Sequence, residues 1–357
     1  MKLAIKIMMA AVFSMLVGTV VSGATGFDPY ATSGVLFLTS FIPTGLSAAG
    51  ILPMGLNVEI WEKDIEGVLI EKNPWLDDVH SADEHVINGA IVHIPQSAGG
   101  TNVEKNRQNL PAPIRRRRDT DVVYPLDEFT TDPVHIPNAD QYELSYSKRD
   151  SVIGEDKEFL ANAVAEEALF IYANGLPAGS ILETSGAAAT ATAEGATGTR
   201  KAASRTDLQK MRSKLVKQKK WNEGNMYALI PTDMLAQMFP ANDIVTATYA
   251  QNLTEEERRE GIVYKCEGFK IRERSSVLRY AADGTLKDQE ALGEATDNEG
   301  ALFWEKRSLE RAKGTIKMFS DEGNPTMYGD IYSFLVRFGG RRRREDNKGV
   351  VVLRQTA

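Results

Sequence analysis

Cysteine and histidine are almost missing from this chain. Of its 357 residues only Cys266 is a cysteine, and the four histidines all precede residue 136. One cysteine excludes an internal disulfide. In the strand-like run that holds it, Cys266 reads as a small buried apolar residue rather than a nucleophile. So few histidines leave no Ser/His/Asp or Cys/His arrangement to single out. Also absent are a glycine-rich phosphate loop followed by lysine, a dinucleotide fingerprint and a nucleophile elbow. Nor is there an excess of cation: 42 Lys and Arg stand against 49 Asp and Glu, a formal net charge of -7. The protein as a whole is therefore not a binder of polyanions, and any phosphate contact must be local. What is present is ordinary globular material, 42% hydrophobic and 25% charged, with length enough for about two domains.

The N-terminus reads in two ways. Lys2 and Lys6 precede an apolar run from Ile7 to Val21, and small residues surround Ala24. This is the pattern of a signal peptide; the other reading is an apolar arm that packs against protein. A second apolar run, 33–56, contains Pro43, Pro53 and four glycines, which makes it a poor membrane helix. No cysteine lies near the leader, which excludes a lipid anchor there.

Apolar spacing places Ile60, Ile65, Val68 and Leu69 on one face of a short helix over 58–72, stopped at Asn73-Pro74. From 84 to 140 the chain reads as a long two-stranded excursion. "HVINGAIVHIP" is broken by Asn88-Gly89, residues 96–110 are polar, and "VVYPLDEFTTDPVHI" carries Pro125 and Pro133. With few apolar residues of its own, such a ribbon is marginal in water and requires a partner surface. The strongest helix follows at 148–173, with Val152, Phe159, Leu160, Ala163, Val164, Ala168 and Ile171 at helical spacing and Asn174-Gly175 as its stop. Residues 185–200 are small and of low complexity, which predicts a mobile loop. Thr206 with Gln209 forms a capping box for a basic helix whose apolar face is Leu208, Met211, Leu215 and Val216. "MYALIP" is a strand, "DMLAQMF" a short helix, and 261–277 a strand pair. The acidic stretch 282–300 is a loop. The C-terminal part predicts helix ("LFWEKRSLERAKGTI"), then strand ("YGDIYSFLVRFGGRRRR"), then strand ("KGVVVLRQT").

Four polar clusters are weighed for chemistry. Asp77, Asp78, His80, Asp83, Glu84, His85 and His93 hold enough donors for a metal. His80 and His85, however, are five apart and fall on different faces of a helix, so a solvated acidic helix end is the better reading. Arg115, Arg116, Arg117 and Arg118 are followed at once by Asp119 and Asp121. Charges of both signs on an exposed ribbon suit docking on a complementary protein surface through carboxylate forks better than nucleic-acid binding. Arg341–Arg344, beside Glu345 and Asp346, read as a polar turn. The segment 200–220 holds nine Lys and Arg against one Asp. Its Lys210, Arg212, Lys214 and Lys217 are the best candidates to face a polyanion.

The order of these segments resembles the major capsid protein of tailed bacteriophages, the Hong Kong 97-like fold. "SKRDSVIGEDKEFLANAVAEEALFIYANG" looks like that family's spine helix, and "GNMYALIPTDMLAQMF" like the entry to its axial domain. "GIVYKCEGFKIRERSSV" is similar to its Gly-Phe strand pair, and the closing "KGVVVL" to its C-terminal strand. The resemblance covers about 57–357 and implies an α+β fold. Its divisions would be an arm or leader (1–57), an N-terminal helix (58–83), an extended ribbon loop (84–140) and a peripheral domain (141–225). An axial domain (226–300), a return to the peripheral domain (301–347) and a C-terminal strand (348–357) complete it. It further implies a non-enzymatic virion subunit that assembles in the host cytoplasm into hexamers and pentamers around double-stranded DNA. Its partners would be itself, a portal and a scaffolding protein, with no cofactor, metal or small-molecule substrate. Arg115–Arg118, Asp119 and Asp121 would then meet an adjacent subunit, and the basic helix the lumen. The leader is the departure, since an exported chain would instead suit a secreted or periplasmic binding protein.

Overall fold

The computed structural model describes residues 72–87, 91–96, 103–108, 120–137, 148–241, 243–288 and 291–356, with positions 65, 68, 69, 111 and 114. The leader-like run, Arg115–Arg118 and Asp119 lie outside the described residues. Strands β1 (His80–Ser81), β2 (Val86–Ile87), β3 (Ile91–Gln96), β4 (Thr120–Pro125), β5 (Asp127–Thr130) and β6 (Val134–Pro137) precede helix α1 (Lys148–Ala173). Then come β7 (Ile181–Glu183), β8 (Ala188–Thr190), β9 (Thr199–Lys201), α2 (Arg205–Lys217) and β10 (Met226–Pro231). Short helices α3 (Thr232–Met238), α4 (Ile244–Gln251) and α5 (Glu255–Arg259) follow. The rest is strand: β11 (Tyr264–Cys266), β12 (Phe269–Arg274), β13 (Leu278–Tyr280), β14 (Leu286–Lys287), β15 (Asn298–Glu305), β16 (Leu309–Asn324), β17 (Gly329–Arg342) and β18 (Val350–Arg354).

The larger sheet is organised around β15. It pairs with β18 along one edge, and with β10 and then β13 along the other, all antiparallel. β12 adds parallel to β10, and β7 parallel to β18. Both faces of this sheet are buried. Tyr227, Leu229, Leu302, Trp304, Val350 and Val352 face one core with α1. Their sequence neighbours Ala228, Ile230, Ala301, Phe303, Val351 and Leu353 face a second core with Leu208, Met211 and Leu215 of α2 and Met234, Leu235 and Met238 of α3. Strands covered on both sides read as unbroken apolar runs, as "ALFW" and "VVVL" do. Cys266 is buried in the second core, as its strand-like run suggested.

The smaller sheet is a long hairpin of β16 and β17, with β5 and β6 on the free edge of β17 and β1 parallel to β16. Tyr332, Phe334, Val336 and Phe338 alternate along β17 and turn to α1. The helix, roughly 39 Å long at 1.5 Å per residue, returns Leu160, Val164, Ala168, Leu169 and Tyr172, all buried. Close approach at its C-terminal end requires glycine: a Cβ on Gly340 would come within 2.8 Å of the Tyr172 hydroxyl oxygen. That hydroxyl donates to the Glu310 carbonyl at 3.0 Å. Among the described residues no helix is long and apolar enough to cross a membrane.

Several expectations are corrected. "LFWEKRSLERAKGTI" is not a helix; it is the second half of β15, a turn and the start of β16. Its good helix formers are overridden because residues 302–305 and 309–312 are buried and Glu310 and Arg311 are paired in place. The excursion ends earlier than 140, since 127–137 form β5 and β6 on β17. Its base, β3 and β4, is seated on its own chain through Val92, Ile94, Leu126 and Ala312. The long helix likewise buries its apolar face within the chain, so it does not need neighbours to complete a core. Phe159, expected on that face, is 72% exposed, as Leu160, Val164 and Ala168 define a stripe turned away from it. Val216 is exposed as well. The α2 cap is Ser204 with Asp207, two residues before the expected pair: Asp207 accepts from the Ser204 N–H at 3.1 Å and hydroxyl at 2.8 Å.

Residues 185–200 are not a bare loop. β8 and β9 pair as a hairpin, and Arg200 anchors it by donating to Asn298 Oδ1 at 2.7 Å. Beneath the hairpin the Thr192 hydroxyl donates to Glu299 and lies 3.0 Å from the Gln355 side-chain oxygen. Glu299 is 5% exposed. Burial, aided by the negative charge of Asp233 and opposed by the Thr192 bond, raises its pKa from 4.5 to about 7. The folded protein therefore keeps a proton that the unfolded chain loses between these values, and stability falls as pH rises through that window. Glu299→Gln should remove this dependence and stabilise the protein at pH 8 by up to about 3 kcal/mol. Urea unfolding at pH 5 and pH 8 measures it; equal pH slopes for variant and parent would refute the assignment.

Candidate assembly surfaces

The first surface is the base of the ribbon. β2, β3 and β4 form a small sheet with Ile87 opposite Ile91 and His93 opposite Val123. One face is pinned down: Val92 and Ile94 are buried, and the Tyr124 hydroxyl donates to Glu310 Oε1 at 3.3 Å. Arg341 and Arg343 close on the same buried carboxylate at 3.7 and 3.4 Å, and the Arg341 guanidinium lies over the Tyr124 ring. Burial raises the Glu310 pKa against the pull of both guanidinia. Burial and the charge of Glu310 push the Tyr124 hydroxyl far above its ordinary value. The opposite face is apolar and open, with Ile87, Ile91 and Val123 at 51%, 41% and 50% exposure. The backbone of Asp121 lies in β4 at the point where the chain leaves toward the arginine run.

Three acids of the cluster at 77–93 serve the fold, while Glu84 and His85 are exposed. Asp78 is ion-paired with Arg272 in the interior, and its carbonyl accepts from the Trp304 indole at 3.1 Å. Asp77 pairs with Arg311 at 2.8 Å, and Asp83 accepts from the Lys313 N–H at 2.7 Å. Among the described residues no three His, Cys, Asp or Glu side chains converge to hold a metal ion.

The arginines at 341–344 do more than turn the chain. Arg341 and Arg343 balance Glu310, and Arg344 pairs with Asp346 at 2.7 Å. Arg342 caps α1, donating to the carbonyls of Ile171 at 3.2 Å and Tyr172 at 3.1 Å and to that of Asn174. A cation at this end satisfies orphan carbonyls and complements the helix dipole.

On α2, Lys210 and Arg212 are exposed but engaged. Lys210 binds Asp207 at 2.8 Å, and Arg212 binds Glu267 at 3.1 Å while lying 5.1 Å from the centre of the Trp221 ring. Burial opposes ionisation of Asp207, but hydrogen bonds from Lys210, Ser185 and Ser204 outweigh it and hold the carboxyl below its ordinary range. Lys214 is half-buried and Lys217 exposed. Five further cations converge beyond the end of this helix. Lys219, Lys220, Arg307, Arg343 and Arg344 line an open cleft of about 680 Å³ with Trp221 and the acids Glu305, Glu345 and Asp346. They come from three separated segments, so sequence reading saw two basic runs without their meeting. The only local trace of the third was the pair Lys306-Arg307.

No protein-family model and no curated protein matches the sequence. Solved structures do match the fold. The capsid of Ralstonia phage GP4 aligns with 78% of this chain and 87% of that chain, at TM-score 0.56 and 12% identity. The head structure of Helicobacter pylori bacteriophage KHP40 aligns with 78% and 89%, at 0.52 and 9%. The capsid of cyanophage P-SCSP1u aligns with 77% and 86%, at 0.51 and 16%. The α+β architecture described above, with its long helix, ribbon base and double-cored sheet, is the Hong Kong 97-like fold of phage capsid proteins.

Proposed function

We propose that this chain is the shell subunit of a phage head, a non-enzymatic protein that self-assembles into hexamers and pentamers around double-stranded DNA. The observation that carries this reading is the shared fold, spread over 78% of the chain. The ribbon base adds physical support. Its sheet is fixed to its own subunit on one face and open and apolar on the other, which suits a contact shared between copies. The proposed peripheral part (141–225 with the return at 301–347) contains α1, α2 and the long hairpin, and the proposed axial part (226–300) contains β10 and α3. Assembly in the host cytoplasm, with a portal and a scaffolding protein as further partners, belongs to the same proposal. The exported alternative rests on the leader alone.

Within the shell, Arg115–Arg118 grip carboxylates of an adjacent subunit, with Asp119 and Asp121 answering its cations. Replacing the four arginines with glutamate should abolish shells in electron micrographs while leaving the circular dichroism of the subunit unchanged. Normal shells from that variant would remove the role. Lys214 and Lys217 face packaged DNA, while Lys210 and Arg212, already balanced by Asp207 and Glu267, contribute less. Lys214→Gln with Lys217→Gln should lower the salt concentration at which DNA escapes from filled heads and leave empty-shell formation intact. An unchanged salt profile would count against this face.

A further inference from the structure

The two ends of β15 carry opposite surfaces. At its N-terminal end two loops meet backbone to backbone. A Cβ on Gly293 would stand 2.3 Å from the Glu194 carbonyl oxygen, and Gly195 takes a φ of +74° at the same contact. The pair is braced rather than loose: Thr197 N–H donates to Ala295 at 3.0 Å, and Glu294 N–H to Asp297 at 2.9 Å. Leu292 projects from this knob at 90% exposure, flanked by the side chains of Glu194 and Glu294, 88% and 66% exposed. Each acid has a single, looser cation partner, Arg279 at 3.8 Å and Lys287 at 3.3 Å. Over 283–299 the sequence holds six carboxylates against one lysine.

At the C-terminal end of β15 lies the cationic cleft. Two of its three acids are committed: Glu305 accepts from the Ser308 hydroxyl at 2.9 Å, and Asp346 is held between Arg344 and Lys348 at 2.7 and 3.3 Å, while Glu345 is exposed. Lys219, Lys220 and Arg307 have no ion partner among the described residues. His80 senses the resulting positive field, since burial and then Arg343 and Arg307 lower its pKa. Trp221, part-buried, is the aromatic side chain that lines the same cleft.

We propose that the knob of one copy seats in the cleft of another, with Leu292 against Trp221, and Glu194 and Glu294 paired with Lys219, Lys220 and Arg307. The occupant is a second copy because the charges and the apolar points match. No single copy can join the two itself, since β15 holds them roughly 23 Å apart at 3.3 Å per residue. A contact of this kind is head-to-tail and closes into rings when the rotation between copies allows. The inference rests on the self-assembly reading and specifies one of its interfaces.

The test uses the full chain in three forms: the parent, a knob variant (Glu194→Lys with Glu294→Lys) and a cleft variant (Lys219→Glu, Lys220→Glu and Arg307→Glu). Circular dichroism checks folding, and sedimentation velocity with electron microscopy reads assembly. The expected result is assembly of the parent, loss of assembly for each variant alone, and recovery when the two variants are mixed. Either variant assembling like the parent, or a mixture that fails to recover, overturns the knob-in-cleft contact while leaving the shell reading standing. A parent that stays monomeric overturns both. A folding-independent check is Leu292→Cys with Asn222→Cys on one chain, where buried Cys266 does not compete. Mild oxidation should give a ladder of disulfide-linked multimers that neither single variant gives, and its absence in assembled material contradicts the contact.

Discussion

Burial of the β15-centred sheet on both faces is the constraint from which the rest follows. Leu302 and Trp304 belong to one core, Ala301 and Phe303 to the other, and the four are consecutive. The strand therefore has no solvent face on which to vary and cannot slip by one residue without exchanging its two cores. α1 and the long hairpin are positioned from one side, α2 and α3 from the other. The ends of the strand become the natural places for surface features, and the acidic knob and cationic cleft both grow from them.

Charge is used differently inside and outside. Asp78 with Arg272 is an interior ion pair between segments far apart in sequence, and buried Glu310 on β16 is met by Arg341 and Arg343 at the end of β17. Breaking such a pair by removing one partner costs several kcal/mol, on the order of 3–5, because the other charge is left buried. Their role is to fix geometry: the first locks the N-terminal segment to the large sheet, and the second ties β16 to β17 while Glu310 also takes the Tyr124 hydroxyl of the ribbon base. The outer face of that base, with Ile87, Ile91 and Val123, is left uncommitted by the same latch.

Local pattern made much of this legible. The helix at 148–173 has both its bounds and its stop in the sequence, and "MYALIP" and the Gly-Phe strand pair fall where alternation and turn residues placed them. The misses share one cause. "ALFW" is apolar without alternation because both faces are covered, and Glu310 and Arg311 are charged because their partners arrive from elsewhere in the chain. A window of fifteen residues sees helix formers and nothing of those partners. The arginines at 341–344 were legible as a cluster but not as a helix cap, since the carbonyls they serve lie about 170 positions away in sequence. The cationic cleft was invisible for the same reason. Phe159 shows the converse, an apolar residue at helical spacing that the tertiary packing leaves outside.

The central claim is that this fold works as a shared shell rather than as a lone globule. The most direct measurement is the mass and shape of the purified, unmodified chain by sedimentation velocity and electron microscopy. The account predicts rings or closed particles in the megadalton range. A stable monomer of 39.3 kDa at every concentration tested would contradict it.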